Sequence, residues 1–375
     1  MSEFGKYIYP FKPDYSNWTR YANPRAGFSG EGLPHIHFSQ FFSIPIQPDV
    51  MEVPHIHHGV DEYLVFTGTE LDKIFDTDFE VDLFLGWDID RMEKFTITKP
   101  TVVRVPPNMW HCPINFKKVG RGVNFNPGYL DPTWSKITRR LLPNGHEEYE
   151  YQGSDLRHCV LDHDKMCTYC GKCFSDESEK ADELVLNDDF LAPYYEMGKA
   201  PKSGRVDPYF YEIPPDFTDL GASIVSPRAI FPGQRAIDGA NLRFSYNVIT
   251  APVRIGDGPI MHDSAEEYLM FFGNDLLDIW GSFDAEIELW LGDAPDHMER
   301  FVITEPATVA VMPGMWRGPI NVRRVGRPFN FNPWQVGGKW SKVSKRTVGG
   351  EELFVYEGEG LTKAETLEDR LFSGE

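Results

Sequence analysis

The chain has 375 residues, 41% hydrophobic and 14% aromatic, with a formal charge of −20; it is long for one ordinary core and comfortable for two domains. Such a charge repels a phosphate backbone, and no stripe of Lys and Arg offsets it, which argues against nucleic-acid binding. No apolar run approaches the roughly 20 residues needed to cross a bilayer, so the expectation is a soluble globular protein whose partner is a small molecule.

Five cysteines, an odd number with three crowded together, make a poor disulfide framework. The start, Met1-Ser2-Glu3-Phe4-Gly5-Lys6, lacks a basic-then-apolar secretory pattern, and a reducing, cytoplasmic location is expected.

In chain order, His35-Ile36-His37 comes first. Its two imidazoles have the spacing of one strand face, and they read either as polar strand residues or as a second metal site. Pro54-His55-Ile56-His57-His58-Gly59-Val60-Asp61-Glu62-Tyr63 repeats that spacing at His55 and His57 and adds a carboxylate at Glu62. His58, next to His57, should face the opposite way. Short apolar runs follow at Tyr63 to Phe66, Val81 to Leu85 and Thr101 to Val105, punctuated by Gly, Pro, Asn and Asp, as in an antiparallel sandwich or barrel. Arg104 lies within the last run, where a charge is costly unless it is paired or serves a ligand; it reads either as a grip for an anionic substrate group or as an outward-facing strand residue. Pro106-Pro107-Asn108-Met109-Trp110-His111-Cys112-Pro113-Ile114-Asn115 then supplies a further imidazole, His111, after a Pro-rich turn. Cys112 reads as a small barrel residue.

Residues 155–206 differ in kind, being rich in charge and cysteine. Cys167, Cys170 and Cys173 form Cys-x2-Cys-x2-Cys, with His158, Cys159 and His163 upstream. Either a structural zinc held by the three thiolates with His163 or Cys159, or a set of free thiols, fits this pattern. The ferredoxin run needs a fourth Cys followed by Pro, and Phe174-Ser175 departs from it.

Beyond this linker the first unit returns. Phe84-Leu85-Gly86 recurs as Trp290-Leu291-Gly292, Met109-Trp110 as Met315-Trp316, Pro113-Ile114-Asn115 as Pro319-Ile320-Asn321, and Asn124-Phe125-Asn126-Pro127 as Asn330-Phe331-Asn332-Pro333, all at one nearly constant offset. A repeat this long is a duplicated domain. The domains expected are 1–154, a metal-binding barrel, 155–206, the linker, and 207–375, a degenerate copy. Leu361 to Phe372 is the best amphipathic helix.

Aligned on Glu62-Tyr63 and Glu267-Tyr268, the copy keeps His262 and Glu267 but has Ile260 for His55 and Arg317 for His111. A permanently protonated guanidinium repels a metal, so an ion pair of Arg317 with Glu267, or a bound anion, is expected there. Arg104 aligns with Ala310, and His35-Ile36-His37 approximately with Asn241-Leu242-Arg243.

The two His motifs resemble those of the cupin superfamily, His-x-His-x4-Glu-x5-Gly ending at Gly68 and Pro-x-Gly-x2-His-x3-Asn, with Asn108 in place of the second motif's Gly. Asn also tolerates positive φ, so the turn survives. The resemblance covers both halves and implies an all-β bicupin, two tandem jelly-roll barrels, with a short C-terminal helix. It further implies one divalent transition metal (Mn, Zn or Fe) on His55, His57, Glu62 and His111, and assembly of copies through barrel faces. Such barrels host many chemistries. The leading expectation is a metal-dependent hydrolase or lyase that cleaves a C–C bond or ring in a small polyoxygenated or enolisable compound, a cyclic diketone or phenol derivative, with Glu62 as ligand or base and Arg104 on the substrate. The alternatives are an Fe-dependent dioxygenase of the quercetin or diketone type and a barrel that binds metal or sugar without turnover.

Overall fold

The computed structural model describes residues 2–16, 19–33, 36–132, 135–141, 147–153, 186–337, 341–348, 351–358 and 371. The cysteine cluster with His158 and His163, His35, and the C-terminal helix expected from Leu361, save Leu371, lie outside these residues.

The protein is all-β, two tandem jelly-roll barrels each made of two facing antiparallel sheets. In the first barrel, one sheet carries Glu62–Thr67 between Thr101–Val105 and Asn124–Tyr129, and continues to Ser39–Phe42 and Ala26–Ser29. The facing sheet runs from the hairpin of Ser135–Leu141 and Glu147–Gly153 through His55–Ile56 and Trp110–Val119 to Phe79–Gly86 and Glu93–Ile97. The second barrel repeats the plan, with Glu266–Gly273 between Ala307–Val311 and Phe329–Val336.

Strands that are buried on both faces explain why the runs in the sequence are continuously apolar. On Glu62–Thr67, Leu64 and Phe66 enter the interior of the first barrel with Val103, Val105 and Ile114. Tyr63 and Val65 instead join a larger core shared with Phe244, Tyr268 and Trp334 of the second barrel. The contact between barrels is nearly symmetric. Tyr63 Oη accepts from Asn241 N at 2.9 Å, and Tyr268 Oη accepts from His37 N at 3.4 Å. His37 is therefore the counterpart of Asn241, and Ser39, opposite Tyr129, is the counterpart of Arg243, opposite Gln335. This corrects the sequence alignment of His37 with Arg243 by two residues. Gly128 permits a close approach, because a Cβ there would sit 2.7 Å from the Trp334 ring.

Each barrel lends an edge strand to the other. Ile8–Pro10 pairs with Ala307–Val311, and Phe210–Glu212 pairs with Thr101–Val105. These exchanged strands cover edges that would otherwise offer unpaired backbone groups.

Asp188–Met197 is the α-helix among the described residues, capped where the Asn187 side chain accepts from Phe190 N at 3.0 Å. Tyr194, Tyr195 and Met197 pack it against Phe84 and Met92, so this end of the expected linker is docked on the first barrel. Asn115 of the second His motif donates to Tyr195 Oη at 2.9 Å, which in turn donates to Asp82 at 2.7 Å.

Candidate metal centre

His55 begins a two-residue strand and lies directly opposite His111. His57 follows just beyond that strand, and Glu62 opens the next, pointing to the same interior as Leu64. The turn before His111 is tied to the first motif by Asn108 N donating to His57 O at 2.9 Å, with Asn108 at φ 66°. Its counterpart, Gly314 at φ 83°, donates to His262 O at 2.8 Å. The left-handed turn expected for Asn108 is present.

One ring nitrogen from each of His55, His57 and His111 falls within 4.8 Å of the others, and all three residues are buried. Glu62 Oε2 lies 3.0 Å from His111 Nε2 and 3.4 Å from His57 Nε2. His58 is buried but stays out of the group.

Two backbone carbonyls set the tautomers. Val53 O accepts from His55 Nδ1 at 2.8 Å and Met109 O accepts from His111 Nδ1 at 3.2 Å. The Nε2 lone pairs then face inward, the usual arrangement of metal-ligating imidazoles. Burial, with the neighbouring His111 and His57, pushes the His55 pKa well below its ordinary value, favouring the neutral form that a ligand requires. Burial opposes ionisation of Glu62, but His111 and His57, when they carry the positive charge, outweigh it and hold the carboxyl well below the usual range; with those rings neutral, a cation takes that part. Although His111 Nε2 and Glu62 Oε2 approach to 3.0 Å, neither makes a hydrogen bond. Two buried acceptors facing each other repel unless a cation lies between them. The residues therefore fit a divalent metal: three imidazoles and one carboxylate leave coordination positions open.

A cavity of about 810 Å³ joins this group to the surface near Lys12 and Glu31. Phe41, Leu64, Ile114 and Phe125 give it an apolar wall, and Glu52, Cys112, Tyr129 and Lys136 give it a polar one. Sequence reasoning missed Glu52, Tyr129 and Lys136. Tyr129 lies opposite Glu62, hydrogen-bonds its carboxylate, and packs edge-on to His57 with ring centroids 5.4 Å apart. Burial, then Glu62 and Glu52, raises the Tyr129 pKa well above its ordinary value, so the hydroxyl stays protonated and donates. The signal was in the repeat, where Tyr129 follows Asn-Pro-Gly and its counterpart Gln335 follows Asn-Pro-Trp.

Arg104 is corrected. It lies opposite Tyr63, on the face turned away from the cavity, and Nε and Nη2 donate to Asp61 at 3.0 Å while Nη1 donates to Asp238 O of the second barrel at 2.8 Å. Its place is the inter-barrel contact, because Val103 and Val105 take the interior positions. His37 is also outside the site; its side chain is largely exposed and pairs with Glu266 at 2.7 Å.

In the second barrel, Arg317 Nε and Nη2 donate to Glu267 at 2.7 and 3.0 Å, and His262 Nε2 lies 3.0 Å from the same carboxylate. The ion pair expected from sequence occupies the degenerate site.

No protein-family model and no curated protein sequence matches the chain. Among solved structures, it is similar to variants of oxalate decarboxylase from Bacillus subtilis: one at 10% identity and TM-score 0.48, covering 85% of this chain and 74% of that one. Another, from a study of the Mn(II) centres of that enzyme, has 11% identity and TM-score 0.49 over the same shares.

Proposed function

We propose that the chain is a metal-dependent hydrolase or lyase acting on a small polyoxygenated or enolisable compound, such as a cyclic diketone or phenol derivative. The observation that carries this reading is the convergence of His55, His57, His111 and Glu62 at the closed end of an apolar-walled cavity large enough for a small ring. A divalent cation held there supplies Lewis acidity toward a carbonyl or an enolate.

The chain's own residues provide the rest. Phe41, Leu64 and Phe125 offer an apolar surface to a planar ring and exclude water from it. Glu62 is an anionic oxygen able to orient or accept a proton, and Tyr129 holds that carboxylate in place. The buried thiol of Cys112 lines the same cavity. An oxidant generated at the centre would meet this sulfur, which favours bond cleavage by water or by elimination over the dioxygenase.

The test is metal analysis of the purified protein, followed by a screen of cyclic diketones and phenolic compounds in ¹⁸O-labelled water under anoxia. Turnover without dioxygen, supported by Mn or Zn, is the expected result, with label in the product if the cleavage is hydrolytic. An absolute need for dioxygen, with label entering from the gas, overturns this reading in favour of the dioxygenase.

A further inference from the structure

Lys136 and Glu52 form an ion pair within the cavity that also holds the metal group. Lys136 stands on Ser135–Leu141, whose Thr138 lies opposite His55, and its side chain is 13% exposed. Glu52 comes three residues before His55 and is 37% exposed. Neither is explained by the metal site itself.

The second barrel holds the same position differently. There the counterpart Lys342 pairs at 3.2 Å with Glu357, its direct cross-strand neighbour, and both are nearly fully buried. In the first barrel the cross-strand neighbour of Lys136 is Gln152, a neutral residue. Glu52 supplies a carboxylate from outside the hairpin.

Glu52 also breaks a local rule. Asn115 lies opposite Val50 and Asn321 lies opposite Arg254, which makes Gly256 the counterpart of Glu52. Gly256 has φ 82°, and Glu52 holds φ 63°. A residue with a Cβ is thus kept at a left-handed backbone position where the other barrel uses glycine, at a conformational cost typical of functional sites. Together these differences place a carboxylate beside the ammonium inside the cavity.

We infer that Lys136 is the substrate's anion-binding residue: it takes a carboxylate at the end of the substrate remote from the chelating oxygens, in exchange for Glu52. The exchange replaces one carboxylate on the ammonium by another, so the charge-assisted contact survives. Glu52, more than a third exposed, turns to water at little desolvation cost. This rests on the proposed function and narrows it, the substrate class becoming carboxylated phenols or diketones.

The experiment separates the two. Binding of benzoate to metal-free full-length protein, measured by calorimetry, reports on the cavity's cations without the metal, and the Lys136 variants separate that residue from Lys12 and Arg25. Lys136→Met should weaken it about tenfold or more, Lys136→Arg should largely restore it, and Glu52→Gln should strengthen it, because the competing carboxylate is gone. A purely structural ion pair would make Lys136→Met and Glu52→Gln act in the same direction. That result, or no benzoate binding to the wild type, overturns the inference. In parallel, catechol and 3,4-dihydroxybenzoate are titrated against the Zn-loaded protein. Lys136→Met should abolish the preference for the carboxylated compound and leave catechol binding unchanged. Failure of catechol to need the metal counts against the proposed chelation and leaves the benzoate result to decide the role of Lys136.

Discussion

Arg317 clamps Glu267 through two hydrogen bonds, from Nε at 2.7 Å and Nη2 at 3.0 Å, at the strand positions that His111 and Glu62 occupy in the first barrel. Arg317 thus gives the shared scaffold a fixed internal cation where the first barrel presents ligands for an external one. Ile260 lies opposite Arg317 just as His55 lies opposite His111, so the two barrels differ at this site by two of the four residues.

The barrels should therefore bind one metal, in the first. Elemental analysis should show it lost in His57→Ala and His111→Ala and retained in His262→Ala. Any metal on the cysteine cluster is counted apart by Cys170→Ser. The double variant Ile260→His/Arg317→His should raise the barrel stoichiometry from one to two, since it restores the three imidazoles beside Glu267.

Removing the clamp alone should destabilise the fold. Arg317→Met leaves Glu267 as a buried carboxylate with only His262 beside it, a loss of about 3–5 kcal/mol measured by denaturant unfolding at neutral pH. Burial opposes ionisation of Glu267, but Arg317 and His262 together depress its pKa. A depressed carboxyl contributes stability above the unfolded-state value near 4.5 and loses it as pH falls through the folded value. The gap between wild type and Arg317→Met should accordingly be widest at neutral pH and narrow below about pH 4.5. A gap that widens with acid would contradict the assignment.

Arg104→Ala should cost stability and spare the metal. Asp61 would lose the guanidinium that partly offsets its burial, and the link to Asp238 of the second barrel would go with it. A loss of about 2–3 kcal/mol is expected from charge-assisted bonds of this kind. Metal content and benzoate affinity should not change.

Tyr129→Phe should weaken metal affinity about tenfold, the usual effect of deleting a group that orients a ligand. Competition against a chromogenic chelator measures it. Glu62 keeps its two imidazole neighbours in this variant, so occupancy at saturating metal should be full.

Much of this protein is legible in the residues themselves. The duplication, the imidazoles of His55, His57 and His111 with Glu62, the loss of two of these in the copy, and the left-handed turn at Asn108 all follow from local spacing and from comparing one half with the other. Those features depend on side-chain period, ligand chemistry and backbone sterics, which act over a few residues. Arg104 shows where such reasoning stops. Period two places it on the face opposite Val103 and Val105, but both faces of that strand are buried, and only the packing of the second barrel decides which is the interior. Lys136 and Glu52 meet in the cavity from a strand and a loop, and the edge strands Ile8–Pro10 and Phe210–Glu212 each cross to the other barrel. These contacts join residues far apart in the chain, and which of them form is decided by the closure of two barrels against each other.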